Sequence, residues 1–233
     1  MPTADAVFLD TVNRAYAALQ HAPPAIAYRA TSHMTSKAVG SSDRAEKVTY
    51  HPETGIAEIE TLAGPSDDAA DEPPLVAPTF DALGTFEFHG NATANGFHYS
   101  AFNVAPLRFV KPEASGADVV VFSPLHYTVR FDAGDPSDNT LLLAPTEAYR
   151  RTKPAWYLTR VVVDPATRLP LRVELSAGPH PGSLAVDYAP TPYGMLVSHA
   201  AWEESRPLLI GDEPVGRSLV RIEATFDDYR TPA

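Results

Sequence analysis

The sequence predicts a mainly β protein of α+β class: a strongly curved antiparallel sheet, or incomplete barrel, covered by an N-terminal helix. Three observations predict it. One amphipathic helix pattern opens the chain, and short apolar runs with period-two alternation follow, separated by Gly, Pro, Asn and Asp clusters. The 23 prolines among 233 residues fall mostly between those runs, where they end strands and set turns.

Between Thr3 and Gln20, the apolar residues Val7, Phe8, Val12, Ala15, Tyr16 and Leu19 recur at three and four residues. That is the period of a helix with one greasy stripe, with Thr3 as N-cap, and Pro23 and Pro24 stop it. From Ile26 onward the period changes to two. Strands are expected near 25–36, 45–51, 55–62, 84–90, 96–104, 118–131, 139–144, 156–164, 169–176, 183–189, 194–203 and 217–228. The segment "AGPSDDAADEPPLVAP", residues 63–78, is acidic, Pro-rich and aperiodic, so a mobile surface loop is expected there. Equivalent strand patterns lie on both sides of it and no internal repeat is present. The whole of 1–233 therefore reads as one domain, with helix 3–20 followed by a curved sheet over 25–230.

Several strands show which side is buried. In "LPLRVEL", Leu169, Leu171, Val173 and Leu175 alternate with Arg172 and Glu174. In "LVRIEATF", Val220, Ile222, Ala224 and Phe226 alternate with Arg221, Glu223 and Thr225, and "LAVDY" offers Leu184, Val186 and Tyr188. About a dozen such strands present a far wider apolar face than one helix, roughly 25 Å long and 10 Å across, can cover. The sheet is expected to curl on itself into a strongly bent or nearly closed barrel with the helix against its open side, an arrangement with room for a hollow between them.

Composition narrows the function classes. A formal charge of −11 and a pI near 5.1 argue against a phosphate-backbone partner, so no nucleic acid is expected. An apolar share of 44% with 20% charged residues belongs to a folded chain with a substantial core. No segment approaches the roughly 18 consecutive apolar residues of a spanning helix. With no cysteine, disulfides, thiol nucleophiles and Cys-ligated zinc are excluded.

Reactive motifs are sparse. Of the eight histidines, none pairs at helical i, i+4 spacing; only His89 and His98 in "HGNATANGFH" flank an Asn-Gly turn, and solvated rim residues account for them. No metal or cofactor is expected. No GxSxG or SxxK presents a serine nucleophile, and no Gly-rich loop opens a helix to hold phosphate. Asp43, Glu58, Glu60, Glu87, Asp132 and Glu174 fall on polar strand faces or in loops. Arg29, in "IAYRATSHM", reads as an outward strand charge, the other reading being an arginine at a cavity mouth that meets an acidic headgroup.

The stretch "RVVVDPATRLPLRVEL", residues 160–175, is a hairpin whose tip holds Asp164, Thr167 and Arg168. It is either a reactive tip or wall material. Asp164 can accept hydrogen bonds from its own turn, Pro165 fixes φ and Arg168 is exposed, so the wall reading explains the tip without catalysis.

This hairpin, with "NTLLLAP" before it and "LAVDYAPTPYGMLVSHAAWEE" after it, resembles the later strands of LolA/LolB-type lipoprotein carriers and related lipoprotein-sorting-like proteins. The shared element is a strand ending in a V-D-P-x-T-x-x-P turn, here Asp164, Pro165, Thr167 and Pro170, followed by an alternating strand. The resemblance covers residues 139–203; elsewhere it extends only to the order of elements. A second helical lid is not evident in the sequence, and the acidic Pro-rich loop is a departure. The resemblance implies an incomplete barrel around a hydrophobic cavity, a periplasmic or otherwise exported location with a signal trimmed ahead of Met1, and binding of an acyl chain or another lipophilic segment.

The residues expected to line such a cavity are Phe86, Phe88, Tyr99, Tyr127, Val129, Phe131, Trp156, Leu158, Leu171, Val173, Val186, Tyr188, Val220 and Ile222. The expected function is non-enzymatic binding or carriage of an acyl chain, lipid or lipoprotein, with a lipophilic ligand or acylated protein as partner and a peripheral encounter with membrane. The alternative is an interaction or sensor domain with a filled core, and a third reading is a hydrolase with an unsignalled Ser/His/acid set.

Overall fold

The computed structural model describes residues 2–19, 23–37, 40–51, 56–64, 79–80, 86–87, 126–152, 156–177, 181–210 and 213–232. Helix α1 (Ala4–Leu19) leads into β1 (Ile26–Ser36), β2 (Gly40–His51) and β3 (Ile56–Ala63). A small pair follows, β4 (Thr79–Phe80) with β5 (Phe86–Glu87). The chain continues as β6 (Tyr127–Phe131), β7 (Thr140–Pro145), the short α2 (Glu147–Arg151), β8 (Trp156–Val163), β9 (Pro170–Ala177), β10 (Gly182–Thr191), β11 (Gly194–Ile210) and β12 (Glu213–Arg230).

Ten of these strands form one antiparallel sheet, ordered β3-β2-β1-β12-β11-β10-β9-β8-β7-β6. Every lateral neighbour is also a neighbour in sequence except at β1–β12, where the first and last strands pair from Ala27↔Arg230 to Ser36↔Val220. Among the described residues β3 and β6 are the two edges and do not pair, so the sheet is an incomplete barrel rather than a closed one.

Helix α1 forms where the three-and-four spacing places it. The Thr3 hydroxyl accepts from the Ala6 N–H at 3.3 Å. Ala4, Val7, Phe8 and Val12 are buried in the same apolar cluster as the sheet. Thr11, also buried, returns its hydroxyl to the Val7 carbonyl at 2.9 Å, which satisfies a polar group within the greasy stripe. The helix lies on the β6 end, where Phe8 meets Tyr127 edge-on with ring centroids 6.4 Å apart.

Three elements depart from their expected bounds. Strand β2 begins at Gly40, not near 45, because the polar "SSDR" pairs residue by residue with β1 from Ser36↔Gly40 to Arg29↔Lys47; pairing overrides a composition that reads as loop. Strands β11 and β12 run to Ile210 and from Glu213, through Pro207 and Pro214, which read as breakers. Beyond Glu204, however, β11 has only β12 beside it, so one flank of the strand carries no ladder for a proline to interrupt. The helix α2 is additional to the expected one. It is too short to show a period, and its signal is the Thr146 N-cap, whose hydroxyl accepts from the Tyr149 N–H at 3.3 Å. The expected strand 96–104, the first part of 118–131, the flanks of 84–90 and residues 65–78 lie outside the described residues.

Candidate functional site

Strand alternation gives the sheet an inner, buried face and an outer, wet one. Register then assembles two rows across the inner face. One runs Phe131, Leu141, Val161, Val173, Val186, Ala200, Ala224, Ser32, Arg44, each opposite the next on adjacent strands. The other runs Leu158, Leu175, Leu184, Trp202, Ile222, Met34, Ser42.

The first row changes character along its length. On β7 to β10 it is branched aliphatic and buried. On β11, β12 and β1 it narrows to Ala200, Ala224 and Ser32, so three adjacent strands, about 14 Å at roughly 4.8 Å per strand, carry only small side chains. At β2 it ends on Arg44, buried and ion-paired with Glu46. Nearby, the buried Ser36 and Ser218 hydroxyls are 3.2 Å apart. The first row is thus apolar at one end, small in the middle and polar at the other, while the neighbouring row keeps Trp202, Ile222 and Met34 in its middle.

Two aromatic clusters stand along the sheet, one at the β6 end and one at β1 and β12. Near β6, Tyr149 stacks on His126 at 4.2 Å and meets Tyr127 and Tyr157 edge-on at 5.5 and 5.8 Å. The Tyr127 hydroxyl accepts the Leu158 N–H at 3.1 Å, and burial raises its pKa far above the usual phenol range. Near β1, Tyr28 lies 6.1 Å from Phe226 and 5.4 Å from Tyr229, whose hydroxyl donates to the Val197 carbonyl.

Of the residues expected to line a cavity, the structure gathers Tyr127, Val129, Leu158, Val173, Val186, Tyr188 and Ile222 into the buried cluster, with Phe131 and Val220 packed against it. Leu171 is half-buried and stands outside that cluster. Phe88, Tyr99 and the side chains of Phe86 and Trp156 lie outside the described residues, as do His89 and His98. Arg44, Glu46, Ala200 and the α2 tyrosine Tyr149 went unnoticed in the sequence. Arg44 and Glu46 share the period-two phase of Val48, a signal that places them inward.

The outer face is a lattice of paired charges. Arg172 donates to Glu174 at 2.9 Å and to Asp187 at 2.8 Å, and His199 Nδ1 lies 3.3 Å from the same Asp187. Arg221 donates to Glu203 at 3.0 Å, His33 Nδ1 lies 2.7 Å from Asp43, and Arg29 is exposed. A groove of about 430 Å³ lies here, floored by Ala185 and Ala201 and walled by Arg172, Glu174, Glu203, Arg221 and Glu223. None of the residues expected to line a cavity lines it. Among the described residues no group of three or more His, Asp or Glu is placed to hold a metal, and no helix is long and apolar enough to cross a membrane.

The hairpin tip is a self-satisfied turn. One Asp164 carboxylate oxygen accepts from the Ala166 N–H at 2.8 Å, the Thr167 N–H at 2.7 Å and the Thr167 hydroxyl at 3.1 Å. The backbone bond from Thr167 leads the causes that hold its pKa below the usual carboxylate range. Arg168 is half-exposed rather than fully exposed, in a left-handed conformation with φ of 61°.

Neither a protein-family model nor a curated protein sequence matches the chain. Solved structures similar to it include a DUF1329 family protein from Desulfovibrio piger, 11% identical, TM-score 0.43, covering 100% of this chain and 95% of that one. A LolA superfamily protein from Nitrosomonas europaea is 9% identical, TM-score 0.39, with the same coverages of 100% and 95%. A putative outer membrane lipoprotein-sorting protein domain from Vibrio parahaemolyticus is 15% identical, TM-score 0.43, covering 96% and 92%. At such identities and TM-scores the likeness bears on no residue role and no function.

Proposed function

We propose that the chain is a non-enzymatic binder or carrier of a lipophilic ligand (an acyl chain, a lipid or an acylated protein) held against the inner face of its sheet, in the periplasm or another exported compartment of a bacterial envelope. The observation that supports this reading is the change along the first inner row, where branched aliphatics on β7 to β10 give way to Ala200, Ala224 and Ser32. Small residues side by side on an apolar face would form a trough about the width of a hydrocarbon chain, with Trp202, Ile222 and Met34 of the neighbouring row as its apolar walls. Ten buried methylenes would contribute about 8 kcal/mol gross, enough to hold a ligand after ordering costs. The sequence resemblance over residues 139–203 points the same way, and a peripheral encounter with membrane would load the ligand. The full burial of Val161, Val173 and Val186 favours a second reading, an interaction or sensor domain with a packed interior.

Two measurements separate these readings. Delipidated protein titrated with a fluorescent fatty acid is expected to bind saturably; no binding overturns the carrier reading. The Ala224→Phe variant fills the trough. If the trough is hollow, the variant keeps its stability and loses the ligand; if the interior is packed, it loses about 1–3 kcal/mol by overpacking.

A further inference from the structure

Tyr188 lies on β10 two residues beyond Val186, so it shares the inner face and stands about 7 Å along the strand from the Val186–Ala200 pair, where the run of small residues begins. It is 5% exposed. Among the described residues its hydroxyl is a buried polar atom that meets no hydrogen-bond partner. Two other tyrosines set a contrast: the Tyr127 hydroxyl is bonded to the Leu158 amide and the Tyr229 hydroxyl to the Val197 carbonyl. A buried hydroxyl without a partner is a standing desolvation cost that a phenylalanine of the same shape would avoid. Such a donor makes sense beside an acceptor that arrives with the ligand.

The surroundings define that acceptor. Val186 and Val197 flank Tyr188, and the nearest charge along the chain is the carboxylate of Asp187. Burial first, and the Asp187 charge second, push the Tyr188 phenol well above its ordinary pKa; Asp187 itself is paired with Arg172 on the outer face, so it is the burial that keeps the hydroxyl a donor and disfavours a charged group beside it. A free carboxylate fits poorly there. A neutral carbonyl fits well.

We infer that the Tyr188 hydroxyl donates a hydrogen bond to the carbonyl oxygen of a neutral acyl ester or amide whose hydrocarbon chain lies along Ala200 and Ala224, which makes the ligand class esterified or amidated acyl chains rather than free fatty acids. This rests on the lipophilic-binder reading, and it names the polar end of that ligand.

The test compares methyl palmitate, hexadecane and palmitate, each delivered from cyclodextrin at neutral pH to delipidated wild-type protein and to Tyr188→Phe, with affinity read by calorimetry and apo stability by thermal melting. Wild type is expected to hold methyl palmitate about tenfold more tightly than hexadecane, and palmitate more weakly than the ester. Tyr188→Phe is expected to lose the preference for the ester over hexadecane and to melt no lower than wild type. Equal ester affinity in both proteins overturns the inference while leaving the binder reading in place. A lower apo melting temperature for the variant also overturns it, because the hydroxyl would then serve the fold. No binding of any probe by wild type overturns the binder reading and this inference together.

Discussion

At the scale of single residues, the most informative carboxylates serve turns. Asp135, between β6 and β7, is held at about 2, well below 3.8, first by the Ser137 hydroxyl and then by Thr140 and backbone donors. Asp164 is lowered in the same direction by the Thr167 amide. A depressed folded-state pKa means that the unfolded chain takes up its proton first as acid is added. The stability each carboxylate contributes is therefore complete above the unfolded value near 3.8, and for Asp135 it is lost as pH falls from there toward about 2. The doubly substituted Asp135→Asn, Asp164→Asn protein should be less stable than wild type at neutral pH and should lose less stability between about pH 4 and pH 2. Melting temperatures across that range check it, and parallel acid limbs for the two proteins would contradict it. The Asp164 turn was readable in the sequence because an Asp followed by Pro and Thr carries its own hydrogen bonds. The left-handed Arg168 was not, since any of several turn residues can take that conformation when the β8–β9 register demands it.

At the scale of elements, the edge of the sheet depends on one glycine. Gly64 closes β3 with φ of +104°, and a Cβ there would stand 2.5 Å from the Asp43 carbonyl oxygen of β2. Gly64→Ala combines left-handed strain with a backbone clash, so it should cost more than about 1 kcal/mol in chemical denaturation. A variant as stable as wild type would show that β3 does not need to leave β2 there. Strands were legible wherever alternation was strong, as in Leu184–Tyr188 and Val220–Phe226, because burial on one face writes a period of two into the chain. The outer halves of β11 and β12 were not legible, since Pro207 and Pro214 signal breaks in a segment where only one flank of the strand needs its amides. The same limit hid β2's first turn of pairing and the five-residue α2.

At the scale of the whole molecule, the sheet separates two chemistries. Its outer face carries paired Arg, Asp, Glu and His side chains on a chain of net charge −11, while its inner face collects the apolar cluster, a central run of small residues and a buried ion pair at Arg44–Glu46. The curved, one-sided sheet was legible from strand-by-strand alternation and the lone long helix. The run of small residues was not, because Ala200, Ala224 and Ser32 are neighbours only through the β11–β12 and β1–β12 registers, and the last of these joins opposite ends of the chain. Single alanines in strands say nothing about space until register sets them side by side. The most direct test is photocrosslinking of the delipidated protein with an acyl ester bearing a diazirine along its chain, followed by peptide mapping. Labels are expected on inner-face positions such as Val186, Ala200, Ile222 and Ala224, competed away by unlabelled ester. Labels confined to the outer groove at Ala185 and Ala201, or no saturable labelling, would contradict it.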